Sequence, residues 1–268
     1  MIKAAVLGKP VSHSLSPFVH GQIYQKLGLE FSYERIEHDE VSAIAFIQDA
    51  IASGEWNGFS LTMPLKEVVF ALELPCDSYS ISAHSVNTIT GGRGYNTDVS
   101  GMVRVLEELS VSLRKIAIIG SGATARSALV ALGQLSGRGE TIGAVEIFRR
   151  SSRRDALLQK ASRIQLTFHG LDQTWNRSDY DLVISTIPTS AQTNISVKLQ
   201  GYEGTLLDVT YSPWPSTFAG VVKGRVISGL PLLVAQAVDQ AALFTGLDFD
   251  RDAMYQEMKI STAREASK

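Results

Sequence analysis

The sequence predicts an α/β protein with two domains, and three observations support this fold class. Short apolar runs alternate with segments of helical periodicity along most of the 268 residues, a pattern typical of mainly parallel sheets flanked by helices. The apolar run 115–119 leads directly into a glycine-rich turn, after which the alternation starts again. The length suits two domains or one large one. We expect one domain at 1–100 plus 230–268, a second at 101–229, and a cleft between them.

The first half of the chain contains four predicted strands and four helical segments. The strands are short apolar or alternating runs at 2–8, 31–36, 58–62 and 85–90. The helical segments carry apolar residues three or four positions apart, at 18–27, 41–52, 64–72 and 79–83. Gly54 is placed to end the second helix, and Pro64 to open the third. This order predicts a mainly parallel α/β sheet.

A helix at 98–109 is expected to link this sheet to the second half. The strands predicted there lie at 115–119, 144–148, 165–168, 181–185, 205–208 and 225–228. Two final helices are expected at 231–245 and 251–264, and the last is expected to dock on the first domain.

The turn Gly120-Ser121-Gly122 lies between an apolar strand and the helical segment that starts at Ala123. Gly120 permits a tight turn, and Gly122 lets a pyrophosphate approach the backbone. The helix N-terminus adds N–H groups and the positive end of the helix dipole. Because the glycine pattern stands between a strand and a helix, it predicts a Rossmann-type dinucleotide-binding domain.

The end of the next strand indicates which dinucleotide binds. An NAD-binding domain carries Asp or Glu there to hold the ribose 2′-hydroxyl. Here Phe148 is followed by Arg149-Arg150-Ser151-Ser152-Arg153-Arg154. Arginine binds phosphate oxygens in a bidentate manner, so this run favours the 2′-phosphate of NADP. A solvated basic loop before a helix is the alternative.

Composition excludes several classes of function. The net charge is −2, which indicates no nucleic-acid surface, and no apolar run approaches the length of a membrane span. The single cysteine, Cys76, cannot form an internal disulfide and suits a reducing compartment, and the first residues do not form a signal peptide. We therefore expect a cytoplasmic protein. The five histidines show no metal-ligand spacing, so we predict no metal.

Two hydroxyls, Ser14 and Ser16, lie at a predicted strand-to-helix junction, where they could bind a carboxylate. The alternative for Ser16 is a helix N-cap followed by Pro17. Lys66 falls in the first turn of the helix that Pro64 opens, where a cation opposes the helix dipole. It is therefore either a proton-transfer group or a solvated surface lysine.

Four further polar residues are candidates for a ligand site. Asn87 closes a predicted strand at the sheet edge that carries ligands in α/β proteins, or it is an ordinary turn residue. Asp98 is either a helix N-cap or the partner of Lys66. Tyr211, in a proline-rich loop, could hydrogen-bond a ligand. Gln236, an amide on an apolar helix, needs a partner in the core or on a ligand.

Taken together, several ordered motifs make the chain resemble the shikimate dehydrogenase family over nearly its whole length. They are H-S-L-S-P-F-V-H (13–20), T-M-P-L-K (62–66), S-V-N-T (85–88), N-T-D-V-S-G (96–101), G-S-G-A-T-A-R (120–126), S-T-I-P (185–188), D-V-T-Y-S-P-W-P (208–215) and V-I-S-G-L-P-L-L-V-A-Q-A (226–237). The resemblance implies reduction of 3-dehydroshikimate to shikimate by NADPH, in chorismate and aromatic amino-acid biosynthesis. A quinate/shikimate dehydrogenase of broader range and a non-catalytic ligand-sensing relative are the alternatives.

The resemblance also implies a role for each site residue. Ser14 and Ser16 would bind the substrate carboxylate. The ring hydroxyls and reacting centre would be held by Thr62, Lys66, Asn87, Asp98, Tyr211 and Gln236, with Lys66 and Asp98 as the catalytic pair and Lys66 as proton donor. The cofactor side would comprise Gly120, Ser121, Gly122, Ala123, Thr124, Arg149, Arg150, Ser151, Arg153, Val209 and Gly229. We expect a monomer or a homodimer.

The chain departs from the family pattern at several positions. Ser60 stands where an asparagine is usual, and Ala123 replaces a glycine. Phe148 and Arg150 replace the asparagine and threonine of an N-R-T motif, and Arg150 adds charge that favours a phosphate.

Overall fold

The computed structural model describes residues 1–173 and 175–267. The chain forms two compact units, the first from Met1–Gly101 and Leu233–Lys268 and the second from Met102–Leu232. Each unit contains a sheet with helices, which confirms the predicted α/β class. Among the described residues, no helix is long and apolar enough to cross a membrane.

The first unit is built on five strands. They are β1 (Ile2–Gly8), β2 (Phe31–Glu37), β3 (Gly58–Leu61), β4 (Thr88–Thr90) and β5 (Arg93–Tyr95). Its helices in chain order are α1 (Ser16–Lys26), α2 (Glu40–Ser53), a 3₁₀ helix at Leu65–Leu72, α3 (Ser78–Ala83) and the start of α4 (Thr97–Leu109).

The strand order in this first sheet is β2-β1-β3-β4-β5. β1 is parallel to β2 and β3, as predicted, but β4 is antiparallel to both β3 and β5. β4 and β5 are antiparallel because a two-residue turn at Gly91-Gly92 connects them, and such a short connection joins only antiparallel strands. The strand predicted at 85–90 is correspondingly shorter, and the helix predicted at 64–72 is a 3₁₀ helix.

Both faces of β1 are buried, which explains its continuous apolar sequence. Ala4 and Val6 face a core cluster that includes side chains of α1 and of the two last helices, α8 (Leu230–Thr245) and α9 (Arg251–Ala266). Ala5 and Leu7 face a second cluster with α2 and the 3₁₀ helix. The carboxyl end of β1 is therefore enclosed by helices on both sides, and the chain leaves it toward Ser14 and Ser16.

The second unit contains a six-stranded sheet in which every pair of neighbouring strands is parallel. Its strands are β6 (Lys115–Ile119), β7 (Ala144–Arg149), β8 (Leu166–Gly170), β9 (Leu182–Ser185), β10 (Thr205–Asp208) and β11 (Arg225–Ile227). The helices are α5 (Ala123–Gly137), α6 (Asp155–Ala161) and α7 (Thr189–Gln192), with short 3₁₀ segments at Ser152–Arg154, Arg177–Asp179 and Thr193–Leu199. The chain ends with α8 (Leu230–Thr245) and α9 (Arg251–Ala266).

The strand order of this second sheet is β11-β10-β9-β6-β7-β8. The order reverses between β6 and β9, which are hydrogen-bonded neighbours. This is the order of doubly wound dinucleotide-binding sheets, in which ligands bind at the carboxyl ends of the strands beside the reversal point. The glycine turn that begins at Gly120 follows β6 at that point.

Candidate active site

Lys66 and Asp98 form an ion pair in the first unit. The Lys66 Nζ lies 2.5 Å from Asp98 Oδ2, and the two side chains are 17% and 7% exposed. Lys66 is in the first turn of the 3₁₀ helix and Asp98 is in the first turn of α4. Solvent and salt screen such an enclosed pair much less than a surface pair. The contact favours the catalytic-pair interpretation of Lys66 over a solvated surface lysine.

Asn87 connects this ion pair to α8. Its Nδ2 lies 3.0 Å from Asp98 Oδ1, 2.9 Å from Thr97 Oγ1 and 3.3 Å from Gln236 Oε1. Its Oδ1 accepts a hydrogen bond from Thr97 N at 2.8 Å. Asn87 is 1% exposed, so its amide holds the Asp98 carboxylate in a defined orientation. Gln236 also donates to Leu233 O at 2.7 Å, which gives it partners in the core.

Ser14 and Ser16 lie together at the start of α1, and both are nearly buried. α1 begins at Ser16 itself, with Leu15 as the N-cap and no side-chain cap from the described residues. Ser16 is therefore not the N-cap, and Asp98 is likewise inside α4 rather than ahead of it. Arg35 donates from Nε and Nη2 to Ser14 O at 2.9 and 2.7 Å. Its positive charge beside two hydroxyls suits the binding of an anion.

A buried polar network, made of His20, Tyr33, Ser60 and Gln240, connects the serines to Asn87. The Tyr33 hydroxyl is hydrogen-bonded to Ser16 and lies 2.6 Å from Ser60 Oγ. Burial raises the pKa of Tyr33, so it stays protonated. Ser60 donates to Gln240 Oε1 at 2.7 Å, and Gln240 Nε2 donates to Asn87 O at 3.0 Å.

The sequence analysis did not single out Tyr33, Gln240 or His20. His20 Nε2 lies 3.2 Å from Gln240 Oε1, and its burial lowers its pKa to about 3. A signal was available for Gln240, because it lies four residues after Gln236 and therefore on the same face of α8. Two amides on one apolar helix face indicate a shared polar site.

Thr62 follows β3 and is half-buried. Its N–H donates to Leu7 O at 2.9 Å, and its side chain packs against Gly8 at the end of β1. Thr62 thus lies at the carboxyl ends of two parallel strands, which is the edge where α/β sheets bind ligands.

In the second unit, the turn after β6 has the geometry of a phosphate-binding loop. Gly120 has a φ of +114°, and a Cβ there would lie 2.3 Å from Thr186 Oγ1. Thr186 in turn donates from its N and its Oγ1 to Ile119 O, each at 2.9 Å. Gly122 is the N-cap of α5, and a Cβ on it would meet no described atom within 4 Å. Ser121, Ala123 and Thr124 are half-buried around this open backbone, which fits a pyrophosphate.

Val209 and Gly229 meet beyond β10 and β11. Gly229 N donates to Thr210 O at 3.0 Å, and a Cβ on Gly229 would lie only 1.9 Å from Val209 O. Tyr211, two residues after Val209, is half-buried in the second unit, whereas the other predicted substrate residues lie in the first unit.

The predicted cofactor residues at the end of β7 and after it divide into two groups. Arg150, Ser151 and Arg153 are exposed. Arg149 instead forms a bidentate ion pair with Asp155, a residue that the sequence analysis did not consider. Among the described residues, no group of three or more His, Cys, Asp or Glu side chains could hold a metal ion.

Comparison with known proteins identifies the family. The family model described as the shikimate dehydrogenase substrate binding domain matches residues 6–89. The shikimate dehydrogenase (NADP(+)) of an Exiguobacterium species is 30% identical over an alignment of 258 residues, and the alignment covers 92% of this chain and 94% of that protein. The chain belongs to the shikimate dehydrogenase family. The resemblance drawn from its motifs is therefore confirmed.

Solved structures of shikimate dehydrogenases have the same fold. The crystal structure of the Mycobacterium tuberculosis shikimate dehydrogenase is similar with a TM-score of 0.82 and 32% identity, over 96% of this chain and 99% of that one. The Thermus thermophilus enzyme, solved in complex with NADP(H) and shikimate, has a TM-score of 0.76 and 26% identity, over 99% of this chain and 100% of that one.

Two departures from the shikimate dehydrogenase pattern have clear structural consequences. Ser60, in place of asparagine, is 4% exposed and belongs to the buried network. Phe148, in place of asparagine, is 1% exposed and stacks between His169 and Trp175, with ring centroids 4.9 and 4.2 Å away. In this chain, therefore, both positions are occupied by side chains that are buried in the protein interior.

Proposed function

We propose that this chain is a shikimate dehydrogenase that reduces 3-dehydroshikimate to shikimate with NADPH, in aromatic amino-acid biosynthesis. The observation that carries the proposal is the 2.5 Å contact between Lys66 and Asp98, held in place by Asn87. Relatives aligned over nearly the whole chain are named shikimate dehydrogenase (NADP(+)), which supports both the reaction and the cofactor.

The substrate carboxylate binds to the hydroxyls of Ser14 and Ser16. Support comes from their adjacency at the start of α1 and from the Arg35 guanidinium on the Ser14 carbonyl. The ring hydroxyls and the reacting centre are bound by the remaining site residues, which are Thr62, Lys66, Asn87, Asp98, Tyr211 and Gln236.

Lys66 is the proton donor of the reduction. As the carbonyl gains a hydride, its oxygen becomes an alkoxide, and the Lys66 ammonium transfers a proton to that oxygen. Asp98 fixes the position of Nζ, while Asn87 fixes Asp98 through the 3.0 Å hydrogen bond. In the reverse direction the neutral Lys66 amine accepts the proton from the shikimate hydroxyl.

The cofactor site is assigned to the second unit. The backbone of 120–124 holds the pyrophosphate at the N-terminus of α5, and the arginine-rich segment 149–154 holds the 2′-phosphate. Val209 and Gly229 follow β10 and β11, so their backbone lies at the same edge of the second sheet as the glycine turn that follows β6. NADPH, when bound, supplies the hydride.

A direct assay tests the proposal. The purified protein is expected to form NADPH from NADP⁺ and shikimate. Lys66→Ala is expected to lower kcat by about 10²- to 10⁴-fold with KM for shikimate little changed, because the general acid is lost. Lys26→Ala, which replaces an exposed lysine at the C-terminal end of α1, is the matched control and is expected to retain full activity. Full turnover in Lys66→Ala would refute the role of Lys66.

The same assay separates the alternatives. Comparing quinate with shikimate, and NAD⁺ with NADP⁺, gives four kcat/KM values. A higher value for quinate or NAD⁺ would favour the broader-range dehydrogenase, and no turnover with any pair would favour the ligand-sensing relative. We also propose a cytoplasmic location, which the single cysteine supports.

A further inference from the structure

We infer that Asp208 is a positioning residue for Tyr211. Its carboxylate holds the segment 209–216 in place, and this segment carries the Tyr211 hydroxyl that binds the substrate in the proposed function. The inference deepens the proposed function and rests on it, because it concerns what keeps one substrate-binding group in position. Asp208 is not among the predicted site residues, although it begins the motif that contains Tyr211.

Asp208 is a buried carboxylate that collects hydrogen bonds from three different parts of the chain. It is the last residue of β10 and is fully buried. Its Oδ2 accepts hydrogen bonds from Ser216 Oγ at 2.6 Å and Gln192 Nε2 at 2.8 Å, and its Oδ1 accepts one from Thr210 N at 3.1 Å. A carboxylate can be buried only when such donors replace its hydration, so the carboxylate and its three donors hold one another in a fixed arrangement.

Two of these donors are themselves fixed by backbone groups that follow the segment. Gln192 Oε1 accepts a hydrogen bond from Phe218 N at 3.0 Å, and Ser216 Oγ accepts one from Ala219 N at 3.1 Å. Both side chains are buried. Through them, Asp208 is joined to the backbone beyond the segment 209–216, so both ends of this segment are bound to one carboxylate.

The segment 209–216 contains neither helix nor strand, so side-chain hydrogen bonds help to set its course. Residues 212–215 are exposed, whereas Tyr211 is half-buried between this exposed tip and Thr210. The hydrogen bond from Thr210 N to Asp208 fixes the backbone one residue before Tyr211, and the two bonds to Oδ2 fix the far end. The carboxylate therefore controls where the Tyr211 hydroxyl lies.

Replacement of this carboxylate by an amide conflicts with the arrangement of its donors. Asparagine has one accepting oxygen and one donating nitrogen. Thr210 N and Gln192 Nε2 both donate, and they donate to different oxygens of Asp208. In Asp208→Asn one of these two donors therefore faces an N–H group, whichever way the amide is turned. The substitution keeps the volume of the side chain but releases one end of the segment.

The test measures kcat and KM of Asp208→Asn for shikimate at saturating NADP⁺. KM for shikimate is expected to rise about 3- to 10-fold, the effect of losing one substrate hydrogen bond, while kcat changes less than about twofold. KM for NADP⁺ is expected to change less than about twofold, because Val209 is held independently by its N–H bond to Ser185 O. In a Tyr211→Phe background, Asp208→Asn is expected to change KM for shikimate less than about twofold, since the hydroxyl that it positions is already absent.

Asp181→Asn is the matched control. The Asp181 carboxylate also accepts three hydrogen bonds, from Ser112 Oγ at 2.7 Å, Arg114 N at 3.2 Å and Lys115 N at 3.1 Å. Asp181 precedes β9, so it lies at the amino edge of the second sheet, opposite the edge that carries Asp208. Asp181→Asn is expected to lower Tm without changing either KM, which separates positioning from general destabilisation.

Ser216→Ala serves if Asp208→Asn does not fold, because it keeps the carboxylate and removes one of its donors. KM for shikimate is then expected to rise about 2- to 5-fold, and to stay unchanged in the Tyr211→Phe background.

Three outcomes overturn the inference. One is an unchanged KM for shikimate in the folded Asp208→Asn or Ser216→Ala protein. The second is a full multiplication of the effects of Asp208→Asn and Tyr211→Phe, and the third is an equal rise of KM in Asp181→Asn. In each case the proposed function stands if the wild-type protein oxidises shikimate with NADP⁺. A wild-type protein that does not do so overturns both.

Discussion

Acid is expected to destabilise the first unit through one buried side chain, His20. This residue is fully buried and stacks on Tyr33 with ring centroids 4.2 Å apart. Its Nδ1 lies 3.0 Å from the Tyr24 hydroxyl and its Nε2 lies 3.2 Å from Gln240 Oε1. Burial lowers its pKa from 6.5 to about 3, so the folded protein holds it neutral.

The magnitude follows from the difference between the folded and unfolded pKa values. Because the folded pKa is the lower one, only the unfolded state binds a proton between about pH 6.5 and about pH 3. Stability is therefore fully present above the unfolded pKa and falls as the pH drops through this window. One proton corresponds to about 1.4 kcal/mol per pH unit, or about 2–3 kcal/mol between pH 6.5 and pH 4.5.

The assay is urea unfolding at several pH values, followed by far-UV circular dichroism. His20→Gln is expected to be less stable at neutral pH, because the ring packing is lost. Between about pH 6.5 and about pH 3, however, its free energy of unfolding should fall less steeply with decreasing pH. The difference in slope from the wild type should be about 1.4 kcal/mol per pH unit, which corresponds to one proton. His13→Gln, which replaces an exposed histidine, is the matched control and should keep the wild-type slope.

Equal slopes for the wild-type and His20→Gln proteins would refute the reasoning. That result would mean that His20 takes up a proton in the folded state without cost, and hence that its surroundings admit water or provide a compensating charge.

Two further substitutions test the packing of the site. Gln240→Met is expected to lower the free energy of unfolding by about 2–4 kcal/mol, because buried partners such as Ser60 lose their hydrogen bonds. The control, Gln256→Met on the exposed face of α9, should change the free energy of unfolding by less than about 0.5 kcal/mol. Equal urea midpoints for the two variants would contradict this. Gly120→Ala is expected to lower Tm and to weaken NADP⁺ binding at least about tenfold, because its Cβ would collide with a side chain and its φ is +114°. Gly122→Ala should retain the wild-type Tm, since a Cβ there has space; a similar loss of Tm in both would argue against the strain at Gly120.

Local sequence patterns were sufficient to predict most of the secondary structure. β1, β6 and β10 have the predicted bounds, and most helices differ by one or two residues. Apolar periodicity and glycine placement act over a few residues, so they can be read without knowing the fold. The antiparallel end of the first sheet was missed because strand direction depends on how β4 pairs with β3 and β5.

The sequence by itself determined the glycine turn after β6, the run of arginines after β7 and the set of polar residues that repeat a family's motifs. Tertiary structure alone decided which of those polar groups meet. Lys66 reaches Asp98 across 32 residues, and Ser60 reaches Gln240 across 180. The second contact forms because α8 packs with Ala4 and Val6 of β1 in one core cluster. Even Arg149, six residues from Asp155, could not be assigned to a carboxylate or a phosphate from sequence, since burial and side-chain direction determine its partner.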